Sequence, residues 1–283
     1  MNSDQGDTLV ATSPPGRWPP WSTLVRFAVR QTLRSRRAVL VYLLLALPPV
    51  VGIITVHAAD ISDARTSAQI YWGLTLAMML TASLPLAAML SCGPLVSNEV
   101  SDGTLVYLLT RRLSRQSVLL AKFLGAVFSL VAVSVLSQAL LVVTFAFGRY
   151  GLTGAERGAA LVGGFAIVAV GAVVFAAVFN VISMIFRKPL AVGVGFLIVT
   201  EWIFLTLPVG IRRLTVGYHL RSLLNGITDS PILRSMLAER AGDGLWSAGA
   251  SGGILVAIVA GALTTSAIIM MWREFTQARE EER

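Results

Sequence analysis

Lysine is nearly missing from this 283-residue chain, with Lys122 and Lys188 the only two among 23 basic residues. That scarcity excludes nucleotide hydrolysis by the chain itself. A P-loop needs G-x-x-x-x-G-K-[ST], so that backbone amides cradle the phosphates and a lysine reaches them. Ala121-Lys122 and Arg187-Lys188 stand in no such loop. Cysteine is reduced to Cys92, inside an apolar run, which excludes a disulfide framework and a cysteine metal site. The two histidines, His57 and His219, form no H-E-x-x-H zinc motif, and no aspartate-rich diphosphate motif is present. Charge is scarce as well, at 13% against 55% hydrophobic residues. With a mean hydropathy of +0.74, an ordinary soluble domain is excluded. A cleavable signal peptide is not expected. The first twenty residues are polar and proline-rich, and the first apolar run is too long and too late for an h-region.

What is present is a series of apolar runs, each long enough to cross ~30 Å of hydrocarbon as a helix of roughly 20 residues. Six are expected: 39–57, 71–96, 119–147, 159–186, 190–210 and 252–272. The second, third and fourth exceed a straight crossing and should tilt, kink or project, with Pro48-Pro49, Pro85 and Pro94 as kink sites. None of the runs alternates apolar and polar over about ten residues, as a barrel strand would. The fold class is therefore an all-α membrane protein.

Orientation follows from the arginines. With six spans, both termini share a side with Arg26, Arg30, Arg34, Arg37, Arg111, Arg112, Arg115 and Lys122. The positive-inside rule puts that side in the cytoplasm. Five arginines in the loop 211–245 weaken the asymmetry without reversing it. The net charge of +8 is then mostly a topology signal, and a nucleic-acid partner is not expected, because the basic residues flank spans. Few lysines with many alanines and arginines suit a GC-rich bacterial genome, and a bacterial cytoplasmic membrane is the expected location.

Along the chain, residues 1–20 read as a disordered cytoplasmic tail. Residues 21–37 read as an amphipathic helix, with Leu24, Ala28 and Val29 opposite an arginine stripe. It is either a generic anchor or an elbow that bears on a cytoplasmic partner. The transmembrane domain runs over 38–272, followed by a cytoplasmic tail, 273–283. Within the domain, the extracellular loop 211–250 carries two helical stretches, the second with Ser230 as N-cap and Pro231 at the first helical position. These should dip back toward the membrane. In the last span, Gly249, Gly253, Ala257, Gly261 and Thr265 form a small-residue ridge that permits close helix approach.

Two intramembrane features raise chemistry. Gly249-Ala250-Ser251-Gly252 matches the G-x-S-G of rhomboid-type intramembrane proteases, but neither histidine lies in a span after Ser251 to serve as base. Packing explains those residues. Glu201 stands inside the fifth expected span, where an unpaired carboxylate is costly and function is the default suspicion. It could bind a cationic group or exchange a proton along a pathway. It could equally be protonated, bonded to Asn180, Gln138 or Ser137, or close to the outer interface.

The remaining constellation is the charged segment 97–117. Glu99 ends the second span, Gly103 permits a sharp turn, and Thr104 can cap a short helix. That helix has an apolar side, including Leu108, and a basic end, Arg111, Arg112 and Arg115. A loop that merely obeys the charge rule has no need of an apolar helical face outside the bilayer. Asn98-Glu99-x-x-x-Gly103-Thr104-Leu105-x-x-Leu108-Leu109, then Arg112-x-Ser114-Arg115 and Leu120-Ala121-Lys122-Phe123-Leu124-Gly125, resembles the signature of ABC-2 type permeases. It is most similar to the compact branch that includes the permease of the nitrous-oxide-reductase maturation transporter. Leu113 stands where members often carry proline.

The resemblance implies a coupling helix at 97–117 that docks on a cytoplasmic ABC ATPase. Glu99, Gly103, Thr104, Leu108, Arg111, Arg112 and Arg115 would then be the coupling residues. It implies two ATPase copies carrying ATP and Mg, no cofactor and no catalysis in this chain, and a second permease chain, identical or related. The expected function is the permease subunit of an exporter. Two alternatives stand beside it: a proton-coupled secondary transporter using Glu201, and a non-transporting mechanotransmission subunit.

Overall fold

The structure, a computed structural model, describes residues 21–58, 61–93, 115–148, 151–186, 188–204, 209–241 and 245–281. The described residues contain helices and no strands, and the chain is an all-α membrane protein. Helix α1 is Trp21–Leu33, α2 Arg36–Ala58, α3 Ala64–Cys92, α4 Arg115–Ala146 and α5 Gly154–Ile185. Then come α6, Pro189–Ile203, the short α7, Val209–Arg212, α8, Val216–Ile227, α9, Pro231–Ala241, and α10, Ala248–Glu281. Among the described residues five of these, α2 to α5 and α10, are long and apolar enough to cross a membrane, and the described part of α6 is shorter.

The fifth span, expected over 190–210, is described only in part: helix runs over Pro189–Ile203 and again over Val209–Arg212, and residues 205–208 lie outside the described residues. The elbow helix closes earlier than 37. Its helix stops at Leu33, and Ser35 starts α2 by accepting from the Ala38 amide through both its carbonyl (3.0 Å) and its hydroxyl (3.2 Å). At the other end, α10 continues as helix to Glu281, through the stretch expected as a tail.

Helix α5 is the centre of the bundle, packed against α3, α4, α6, α8 and α10. Its inner face carries Val168, Ala172, Phe175, Ala176 and Phe179, all essentially fully buried. Three helices contain a stretch of wide, π-type turns: Leu74–Ser83 in α3, Ala160–Gly164 in α5 and Ile198–Ile203 in α6. In α3 the cause is local. Pro85 cannot donate and its ring crowds the preceding turn, so the Leu84 amide reaches back to the Met79 carbonyl and the Thr81 hydroxyl to the Leu76 carbonyl (2.8 Å). All three stretches touch α8.

Helix α1 lies along α4, with Arg26, Arg30, Arg34 and Arg37 exposed and Ala28 buried. Gly125 makes this approach possible, since a side-chain carbon there would sit 2.5 Å from Ala28 Cβ and 3.0 Å from its carbonyl carbon. Gly125→Leu should pry α1 from α4. The overpacking costs about 1–3 kcal/mol, which thermal unfolding in detergent would read as a lowered midpoint. Gly195→Leu, where nothing lies within 4 Å of an added carbon, should leave it unchanged.

Candidate functional site

Glu99, Gly103, Thr104, Leu108, Arg111 and Arg112, expected from the sequence as coupling residues, lie outside the described residues. Arg115 opens α4. The described site is instead built around Glu201, in the wide-turn stretch of α6 and 1% exposed. Its Oε1 accepts the Gly217 amide at 3.2 Å, while Oε2 is buried with no hydrogen-bond partner among the described residues. Gly217 belongs to the first turn of α8, which Thr215 caps by accepting the Tyr218 amide at 3.1 Å. A carboxylate there meets unsatisfied amides and the positive end of the helix dipole.

The partners considered from sequence are engaged elsewhere. Asn180 Nδ2 donates to Ser266 Oγ on α10 at 3.0 Å, and Gln138 Nε2 donates to the Tyr71 hydroxyl at 2.8 Å. The Ser137 hydroxyl bonds the Leu45 carbonyl. Each of these ties two crossing helices together, and none reaches Glu201.

The depth of the site follows from helix rise. Gly226 of α8 meets Ala248 at the start of α10, and Leu223 lies against Gly252. The two helices thus run antiparallel, with the end of α8 level with the outer end of the last crossing. Gly217 is then roughly 14 Å further in at ~1.5 Å per residue. From the other side, Glu201 stands about 18 Å along α6 from Pro189. The two distances together match ~30 Å of hydrocarbon, so Glu201 and the start of α8 sit near mid-depth. Contacts to α5 agree: Leu220 packs at Gly171, while Leu224 and Thr228 pack at Gly163, closer to the outer end. The first helix of the loop 211–250 therefore lies inside the bundle.

Around this buried helix start the polar groups interlock. Arg221 donates to Thr81 Oγ1 of α3 at 2.7 Å. His219 Nε2 lies 2.8 Å from the Arg213 carbonyl. A carbonyl only accepts, so this nitrogen carries the proton and, in the neutral ring, Nδ1 is an acceptor. The His219 ring stands edge-on to Trp246 at 5.8 Å, and the Arg213 guanidinium lies over the same indole at 6.0 Å.

A second buried carboxylate escaped the sequence reading. Glu156 is 2% exposed at the outer end of α5 and accepts from Trp72 Nε1 at 2.9 Å. The Ser230 hydroxyl is 2.8 and 2.7 Å from its two oxygens. Ser230 also accepts the Leu233 amide at 3.0 Å, capping α9. Glu156 thus fastens α3, α5 and α9 at one point. Its signal was the pattern Thr153-x-x-Glu156, a capping box. Thr153 does accept the Glu156 amide, at 3.4 Å, but the carboxylate turns to tertiary partners.

A family model described as ABC-2 family transporter protein matches residues 32–202, more than half of the chain. No curated protein matches the chain.

Glu156→Ala should leave the Trp72 and Ser230 donors buried without an acceptor. A loss of about 2–4 kcal/mol is expected, since hydrogen bonds to a charged group contribute ~1.5–3 kcal/mol each. Glu156→Gln, which keeps one oxygen acceptor, should lose less. Thermal unfolding of the three forms in one detergent checks the order.

Proposed function

Because the chain belongs to the ABC-2 transporter family, we propose that it is the membrane-spanning subunit of an ATP-driven exporter whose engine is a separate chain. The observation that carries this is the extent of the match, which runs from the end of α1 to Trp202 and takes in the whole segment 97–117. The chain has no P-loop of its own, so ATP and Mg bind on a cytoplasmic ABC ATPase, present in two copies. Glu99, Gly103, Thr104, Leu108, Arg111, Arg112 and Arg115 form the coupling helix that docks on it. Both termini face the cytoplasm of a bacterial cell.

Six crossings make half of a two-bundle pathway, so a second permease chain completes it. The last crossing supports this. Only 11% of its apolar window is buried within the chain, and nothing lies within 4 Å of a carbon added at Gly249, Gly253 or Gly261. Small residues on an open face allow a second helix to approach closely.

The mechanism is mechanical. Segment 97–117 joins α3 to α4, so a push from the ATPase enters through these two helices. Helix α3 passes it on through Thr81 to Arg221 on α8, and through Trp72 to Glu156 and Ser230. The Glu201 stretch of α6 and the buried start of α8 move with them and change access to the pathway. One observation favours a proton-coupled reading as well: Oε2 of Glu201, near mid-depth, has no partner among the described residues. That reading expects transport to survive ATP depletion and to fail in Glu201→Gln.

Purification in mild detergent should bring down a P-loop ATPase in equal amount. Replacing Leu108 and Leu109 with aspartate should release it while membrane insertion stays intact. An ATPase that remains bound with unchanged affinity would contradict the assignment of the coupling helix.

A further inference from the structure

Several buried hydroxyls of this bundle are satisfied on their own helix. Ser134 donates to the Leu130 carbonyl at 2.7 Å, Ser183 to the Asn180 carbonyl at 2.7 Å and Thr228 to the Leu224 carbonyl at 2.6 Å. Where α8 packs along α10 this pattern fails. Ser222 and Ser251 are 1% and 0% exposed, and neither hydroxyl has a hydrogen-bond partner among the described residues. Two further atoms on α8 share that condition, His219 Nδ1 and Asn225 Oδ1. Leaving a buried polar group unmet is costly, and four along one helix call for a common partner.

Register brings these groups together. Gly226 abuts Ala248, with no room for a side chain between them. Ser222 lies four residues inward of Gly226, and Ser251 three inward of Ala248. At ~1.5 Å per residue the two serines stand within about 1.5 Å of one level. Along α8, His219, Ser222 and Asn225 are three apart, which puts successive side chains about 5–6 Å from each other. One water with two hydrogen bonds of ~2.8 Å spans such a gap. Inward of the Gly226 contact the seam also loosens. The nearest atom to a carbon added at Gly252 is Leu223 Cδ1, at 3.8 Å.

The donor set suits water better than an ion. Two hydroxyls can donate or accept, the amide oxygen accepts, and so does Nδ1 of the neutral imidazole. None of the four carries a charge that would offset an ion, whereas a buried water takes two to four such partners.

We propose that the seam between α8 and α10 is a water-binding site, in which Ser222 and Ser251 hold water that also serves His219 Nδ1 and Asn225 Oδ1. Helix α8 is then wetted on the side that meets α10, within a bundle whose centre, the inner face of α5, is apolar. The site stands on this chain alone and does not rest on the exporter reading.

The test is pulsed X-ray footprinting of the full chain in nanodiscs, with a scavenger that removes radicals from bulk water. Hydroxyl radicals born from bound water oxidise the side chains next to it, and mass spectrometry locates them. Leu255, 2% exposed and one turn along α10 from Ser251, is the reporter. Leu130 and Leu141 of α4, 1% and 0% exposed, are the dry standards. Leu255 should be oxidised well above both. Ser222→Ala together with Ser251→Ala should bring it down to their level. Ser134→Ala, which removes a hydroxyl satisfied on its own helix, should leave it unchanged.

Leu255 no more oxidised than Leu130 in the unaltered chain would overturn the proposal, and this comparison needs no variant to fold. So would oxidation of Leu255 that survives the loss of both hydroxyls, or that appears only without the scavenger.

Discussion

Hydrocarbon offers no partner for a backbone amide or carbonyl, so a helix that starts inside the bundle must have its first amides met by the protein itself. Helix α8 is such an element, starting near mid-depth and rising to the outer surface against α5 and α10. Its buried start then needs acceptors, and Glu201 and Thr215 supply them. The small residues at Gly163, Gly171 and Gly226 follow from the same requirement, because each faces a side chain carried by α8 or its neighbours. A helix inserted between crossings has to be admitted at close range.

This arrangement gives the two buried carboxylates distinct roles. Glu156 works at the outer surface, where it joins α3, α5 and α9. Glu201 works inside, at the seam where α6 meets α8. The wide-turn stretches of α3, α5 and α6 all pack against α8. Such stretches disturb the regular ladder and often mark functional positions in helices. Here they touch the element that, in the proposed mechanism, a push on α3 moves.

Much of the fold was legible because apolar length is a strong signal. Five of the six expected crossings appear as long apolar helices, and the arginine stripe of 26, 30, 34 and 37 is exposed as its spacing implied. Of the fifth, Pro189–Ile203 and Val209–Arg212 are described as helix, and residues 205–208 between them lie outside the described residues. Glu201 was noticed for its charge, but its partner is a backbone amide, and no residue type announces one. Glu156 stayed hidden at a helix start, where a glutamate is ordinary and its long-range partners, Trp72 and Ser230, are far off in sequence.

The account turns on the depth of α8, and one measurement addresses it directly. Spin labels placed singly at Leu214 and Ile227, in the full chain reconstituted in bilayers, report accessibility to oxygen and to a water-soluble nickel chelate. The account predicts that Leu214 favours oxygen strongly while Ile227 is markedly more open to nickel. Equal, high nickel accessibility at both positions would place α8 outside the membrane and contradict its start near mid-depth.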